Sequence, residues 1–194
     1  MTGRVQLLVG WRCLMVRVLS WNVRGLNDSA KRASLRNLLR DWNCDLVCIQ
    51  ETKLGEVELC DVRSIWGSQH VGFSVLRARG AAGGVIVLWN TNTVHLISSF
   101  SGEFSITCIL QMRDGSPHWA FTGVYGPQAR VDKLRMLEEL GRVRDGWHGP
   151  WCLGGDFNEI LHASERSTGV CSGNIMAEFR LFINQRALLD LPLR

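Results

Sequence analysis

At 194 residues, with 46% hydrophobic and 21% charged residues, the chain suits one domain with a sizeable core, which excludes a disordered polymer. The formal charge of +4, from 22 Lys and Arg against 18 Asp and Glu, mildly favours a polyanionic partner but falls far short of a dedicated nucleic-acid wrapper. Seven cysteines are scattered with no Cys-x-x-Cys pair, which argues against structural zinc and for buried, reduced thiols in an intracellular protein.

The apolar residues between Val5 and Val9 are interrupted by Gln6 and followed by Arg12 and Arg17. They are too short to span a bilayer, and no small-residue cleavage site follows them. Met15 stands directly before a strand-like run, so residues 1–14 are expected to be an upstream extension that the fold does not require, with 15–194 as the domain. Residues 16–23 are rich in β-branched and aromatic side chains and end in the turn-forming cluster from Asn22 to Asp28, which predicts a strand and then a loop. Asp28 or Ser29 can cap a helix carrying Leu35, Leu38 and Leu39 on one face and basic residues outside. Residues 45–49 form a short apolar run with Gln50, Glu51 and Thr52 at its end, as in a buried strand that delivers a carboxylate to the rim where Asn22 lies. Cys44 and Cys48 straddle the start of this strand, where they would not converge on a metal.

A weakly amphipathic stretch over 57–66 precedes strand-like runs at 70–76, 83–89, 94–100, 104–112 and 118–125. The short turn sequences between them predict antiparallel neighbours. Residues 78–84, small and glycine-rich, lack the Lys-Ser/Thr ending of a phosphate-cradling loop and read as a connection. After Tyr125-Gly126-Pro127, residues 129–144 are helical by pattern, with Leu134, Leu137, Leu140 and Val143 as the apolar stripe. A final helix over 176–186 carries Phe179, Phe182 and Ile183 on one face.

Between these helices lies Trp151-Cys152-Leu153-Gly154-Gly155-Asp156-Phe157-Asn158, a buried strand that brings a carboxylate and an amide to its C-terminal end. If the backbone stays extended, Asp156 and Asn158 point one way and Phe157 points into the core. The same residues also suit a plain strand-to-turn ending. Hard cations such as Mg²⁺ take oxygen ligands, often one or two carboxylates with water and phosphate oxygens, so Glu51 with Asp156 could form a partial site. Amide and phenol groups suit hydrogen bonding to a phosphoryl oxygen.

Four blocks, Ser20-Trp21-Asn22-Val23-Arg24-Gly25-Leu26, Ile49-Gln50-Glu51-Thr52, Gly123-Val124-Tyr125-Gly126-Pro127 and Gly154-Gly155-Asp156-Phe157-Asn158, occur in an order and at spacings that resemble the endonuclease/exonuclease/phosphatase superfamily. Within it, the chain is most similar to the apurinic-like endonuclease domain of plant LINE-type (non-LTR) retrotransposons, including residues 84–90, the Glu165-Arg166 loop and residues 179–192. The resemblance implies a four-layered α/β sandwich of two mostly antiparallel sheets flanked by helices. It implies Mg²⁺- or Mn²⁺-dependent hydrolysis of DNA phosphodiesters. Glu51 then matches the metal ligand, Asn22 helps organise the metal and phosphate end, and Tyr125 contacts phosphate. Asp156 matches the residue that activates water, and Asn158 the amide that holds phosphate.

Two departures qualify this. Arg24 stands where apurinic endonucleases often carry a second acidic residue. The family's terminal Ser-Asp-His block has no match, and the five histidines, at 70, 95, 118, 148 and 162, fall too early for it. The domain is therefore expected to be a C-terminally truncated copy with its second sheet incomplete and with little or no nuclease activity, since loss of such a catalytic group costs on the order of 10²–10⁴-fold. A non-catalytic retroelement relic that binds nucleic acid weakly or not at all is the alternative, and a phosphoesterase acting on small phosphate esters is a further one. DNA is the expected partner, no membrane or protein partner is indicated, and a nuclear site of action would follow only from the DNA substrate.

Overall fold

The computed structural model describes residues 6–9, 16–78, 83–161 and 173–191. Their order is β1 (Gln6–Val9), β2 (Val18–Asn22), α1 (Ser29–Trp42), β3 (Leu46–Gln50), α2 (Leu59–Trp66), β4 (Val71–Leu76), β5 (Val85–Asn90), β6 (Val94–Ser101), β7 (Ser105–Met112), β8 (Trp119–Tyr125), α3 (Arg130–Gly146), β9 (Trp151–Asp156), α4 (Gly173–Gln185) and β10 (Leu189–Asp190). The helices start and stop where local chemistry allows. Asp28 accepts a 2.8 Å hydrogen bond from the Ala30 N–H to cap α1, and Asn43 closes that helix in a left-handed conformation. Glu58 and Asp61 form a reciprocal capping box on α2, and Gly67 ends it.

The strands form two sheets, ordered β2-β3-β5-β4 and β10-β1-β9-β8-β7-β6. All neighbouring pairs are antiparallel except β2 with β3 and β8 with β9, which are parallel. The sheets face one another across an apolar layer containing Cys48, Val85 and Val87 from one and Ile106, Cys108, Phe121 and Cys152 from the other. Helices α1 and α2 cover the outer face of the four-stranded sheet through Leu35, Leu39, Val62 and Ile65. Helices α3 and α4 cover the outer face of the six-stranded sheet through Met136, Leu140, Phe179, Phe182 and Ile183. The result is the four-layered sandwich, with buried strands such as β3 apolar on both faces for that reason.

Several expectations are corrected. The turn at Asn90 does not join antiparallel neighbours: β5 belongs to one sheet and β6 to the other. The Asn90 carbonyl accepts from the Thr93 N–H and its side chain accepts from the Asn92 N–H, and a tight turn of this kind serves a corner between sheets as well as a hairpin. Residues 6–9, read as part of an extension outside the fold, pair with β9 on one side and β10 on the other. The edge of β9 is therefore covered, because an unpaired row of backbone groups there is satisfied by any strand within reach. The remainder of 1–14, the 79–82 connection and the Glu165-Arg166 loop lie outside the described residues.

On α3 the buried face runs through Met136, Glu139 and Leu140 rather than along the full leucine stripe. Glu139 is buried because the turn between β6 and β7 needs acceptors. Its carboxylate takes hydrogen bonds from the Glu103 N–H (2.7 Å), the Phe104 N–H (3.2 Å) and the Ser105 hydroxyl (2.6 Å).

Candidate active site

The two parallel pairs, β2/β3 and β8/β9, deliver their C-terminal ends to one rim. Asn22 is opposite Gln50 in the first pair, and Tyr125 is opposite Asp156 in the second. A hydrogen bond of 2.8 Å from Asn22 Nδ2 to Asp156 Oδ2 joins the two sheets there, across 134 residues of sequence. The Asn22 side-chain oxygen Oδ1 accepts from the Arg24 N–H at 3.1 Å, which fixes the amide so that its NH₂ faces Asp156.

Past Asp156 the backbone leaves the strand. Asn158 has a φ of 50°, and its N–H bonds Asp156 Oδ1 at 3.0 Å. The expected extended geometry is thus replaced by an Asx turn, so the strand-to-turn reading and the polar-site reading hold together. Phe157 still enters the core and is 2% exposed. Asn158 Nδ2 donates to the Gly126 carbonyl at 2.6 Å, and the Gly126 N–H donates to the Asp156 carbonyl at 2.6 Å. Gly126 is required by this approach, because a Cβ there would lie 2.2 Å from the Phe157 carbonyl oxygen.

On the other sheet, β2 and β3 remain paired beyond their strand ends, with the Gly25 N–H on the Glu51 carbonyl (2.7 Å) and the Leu26 N–H on the Thr52 carbonyl (2.8 Å). Behind them the buried Gln50 amide bonds the Ser20 hydroxyl at 2.8 Å and ties the strands side chain to side chain. Glu51 has a φ of 54°, and its mostly shielded carboxylate sits 3.2 Å from Lys53 Nζ. Four of the six non-glycine residues with positive φ among the described residues (Arg24, Glu51, Lys53 and Asn158) lie at this rim. Backbone strain of this kind persists only where surrounding structure over-determines it, and it concentrates at functional sites.

The half-buried Tyr125 links the two sides electrostatically. Burial raises its hydroxyl pKa above the ordinary value, and the charges of Glu51 and Asp156 raise it further. The phenol therefore stays a hydrogen-bond donor at neutral pH. The structure thus brings together all five residues singled out from the sequence: Asn22, Glu51, Tyr125, Asp156 and Asn158.

No group of three His, Cys, Asp or Glu side chains among the described residues could cage a metal by itself. A Mg²⁺-type ion does not need one, and Glu51 with Asp156 at an oxygen-rich, half-exposed rim fits its preference for one or two carboxylates completed by water and phosphate. The four described histidines are elsewhere. His70, His118 and His148 precede β4, β8 and β9, and His95 is near the start of β6, all four strands running toward the rim. A cavity of about 580 Å³ lined by Ile97, Phe100, Val143 and Trp147 is also remote, on the outer side of β6 and α3.

Two rim residues were not visible in the sequence pattern. Lys53 reads as an ordinary polar loop residue, yet it pairs with Glu51. Lys133 reads as a solvated helix position, yet its side chain is 13% exposed and its Nζ donates to the Asn158 carbonyl and to Glu159 Oε2. A buried lysine is a signal only once its burial is known.

Residues 19–187 match the model of the Endonuclease/Exonuclease/phosphatase family. The chain belongs to this family. Curated relatives include DNA-(apurinic or apyrimidinic site) endonuclease 2 of Xenopus laevis, 27% identical over 130 residues, and that of Mus musculus, 26% identical over 141 residues. The matches take in 66% of this chain and 23% and 26% of those relatives, so the chain spans about a quarter of their length. Among solved structures, a mannosyl-6-phosphatase of Bacteroides thetaiotaomicron superposes with a TM-score of 0.57 at 13% identity, covering 76% of this chain and 67% of that one. Truncated Caenorhabditis elegans TDP2 superposes with a TM-score of 0.53 at 16% identity, covering 81% and 67%. At such identities these likenesses establish that the sandwich of this chain is the family's fold.

Proposed function

We propose that the rim is a phosphodiester-hydrolysing site that acts on DNA with Mg²⁺ or Mn²⁺, and that in this chain it turns over slowly. The observation that carries the reading is the Asn22–Asp156 hydrogen bond, which joins the first and the last of the four sequence blocks across the two sheets. Relatives named as DNA endonucleases favour DNA over small phosphate esters. The four blocks favour a retroelement endonuclease ancestry.

Glu51 would hold the metal, with Asn22 ordering its surroundings; when bound, the metal would neutralise charge on the phosphate and the leaving oxygen. Asp156 serves as the base toward water. Its two oxygens each accept a hydrogen bond, from Asn22 and from Asn158, so its orientation is set before substrate arrives. Tyr125, kept protonated by burial and by both carboxylates, donates to a phosphoryl oxygen, and Asn158 faces the same phosphate. His70, His95, His118 and His148 lie away from the rim, so none of these four imidazoles is placed to orient at or protonate the phosphate.

The test is nicking of supercoiled plasmid by the purified chain in Mn²⁺, alongside Mn²⁺ binding by electron paramagnetic resonance. Expected are Mn²⁺ binding that Glu51→Ala removes and nicking that is faint and lost in Asp156→Ala. Robust nicking sensitive to both substitutions overturns the slow-turnover reading. Mn²⁺ binding indifferent to Glu51→Ala overturns the site.

A further inference from the structure

Lysine is among the residues least often buried without a partner, and burying its ammonium is costly unless it is hydrogen-bonded. Lys133 nevertheless lies in the opening turns of α3 with its side chain 13% exposed and its Nζ between the Asn158 carbonyl and the Glu159 carboxylate, the latter at 2.9 Å. Helix stability alone does not select it, since a cation near a helix N-terminus opposes the dipole. Other helix-borne ion pairs differ. Arg135–Glu103 and Arg186–Asp145 are more exposed and touch no rim residue.

We infer that Lys133 is a positioning residue that locks Asn158 in its left-handed conformation and so aims the Asn158 side chain into the rim. Asn158 is tied at three points. Its N–H goes to Asp156 Oδ1, its Nδ2 to the Gly126 carbonyl, and its carbonyl receives Lys133 Nζ. The first is the internal bond that an Asp-x-Asn turn makes anywhere. The third comes from α3, a helix anchored on the six-stranded sheet through Met136 and Leu140, and it transfers the rigidity of that packing to the turn. Lys133 fixes the peptide that follows Asn158 and Glu159 neutralises the ammonium, so the turn keeps one conformation while Asn158 itself stays partly exposed. The proposal rests on the assignment of Asn158 to the phosphate end of the site.

Nuclear magnetic resonance of the isotope-labelled full chain separates the two claims. In the wild-type protein a slowly exchanging Lys133 ammonium, correlated through the hydrogen bond with the Asn158 carbonyl carbon, is expected. Lys133→Met is expected to remove the exchange protection of the Asn158 side-chain amide and to weaken binding of a short DNA duplex in Ca²⁺ buffer roughly 10-fold, the usual cost of losing a supporting contact. Lys133→Arg, which can reach both oxygens, is expected to restore most of each. An unchanged Asn158 amide in Lys133→Met overturns the positioning role. If that variant fails to fold, absence of the ammonium–carbonyl correlation in the wild type overturns it instead. DNA binding unaffected by Asn158→Ala overturns the phosphate assignment alone, and the Asn158 amide still decides the role of Lys133.

Discussion

On the six-stranded side of the rim, Asn158 has its N–H, its carbonyl and its side-chain amide all engaged by the protein, and Asp156 has both oxygens engaged. On the four-stranded side, the Glu51 carboxylate is held by an ion pair to Lys53, whose side chain is 41% exposed. With its lysine exposed, such a pair contributes only about 0.2–1 kcal/mol, so Lys53 yields readily to a competing cation, whereas the Asn158 turn is held at three points. The half assigned to phosphate is preset, and the half assigned to metal is adjustable.

The contrast can be broken most severely at the glycines. Gly126→Ala drives a Cβ to 2.2 Å from a backbone oxygen on the rigid side and is expected to cost about 3 kcal/mol or more in urea denaturation. Gly25→Ala, on the adjustable side, meets only Lys53 Cδ at 3.6 Å and bears the cost of a positive φ alone, about 1–2 kcal/mol. Equal losses would erase the distinction. A smaller effect sharpens it: Lys53→Met is expected to tighten Mn²⁺ binding roughly 2- to 5-fold in calorimetric titration, the value of one exposed ion pair. Unchanged affinity would mean that Lys53 does not compete for Glu51.

The two sides share an apolar interior, which gives the smallest effect. Cys48 on β3 and Cys152 on β9 sit between the sheets with burial pushing both thiols up to about 12, and Cys108 likewise. The folded chain holds these protons after the unfolded chain releases them near 9. Their contribution to stability is thus fully present below about pH 9 and fades as pH rises toward about 12. Iodoacetamide at about pH 8 is expected to label exposed Cys60 well before Cys48, Cys108 or Cys152, as read by mass spectrometry of the native chain. Early labelling of Cys48 would show that the sheets part on the side of β3.

Much of this arrangement was legible because strand ends advertise themselves: an apolar run closing in Asn22, Glu51, Tyr125 or Asp156 names both the strand and the rim. The parts that were not legible are those where one residue type serves two geometries. Asn90-Thr91-Asn92 is equally good as a hairpin turn and as the corner that carries the chain from one sheet to the other. Strict alternation puts Asn158 beside Asp156, but its own turn chemistry reverses the backbone after the strand. Glu139 breaks the apolar stripe of α3 because its partners are backbone amides some 35 residues away, which no periodicity records. Lys133 is hidden in the same manner, its acceptor being a main-chain carbonyl.

The corner at Asn90 also bears on how the molecule is assembled. Every strand of the four-stranded sheet, and both helices that cover it, comes from the continuous stretch between Val18 and Asn90, whereas the six-stranded sheet draws on residues from Val94 onward together with β1. During synthesis the first layer pair has all its components before the second exists, because the chain emerges N-terminus first. Contacts of great sequence separation carry the loop-closure cost and form late. The Asn22–Asp156 bond, bridging 134 residues, is such a contact. Glu51 thus belongs to the part of the chain that is complete first, whereas the two halves of the rim meet only where the two sheets dock.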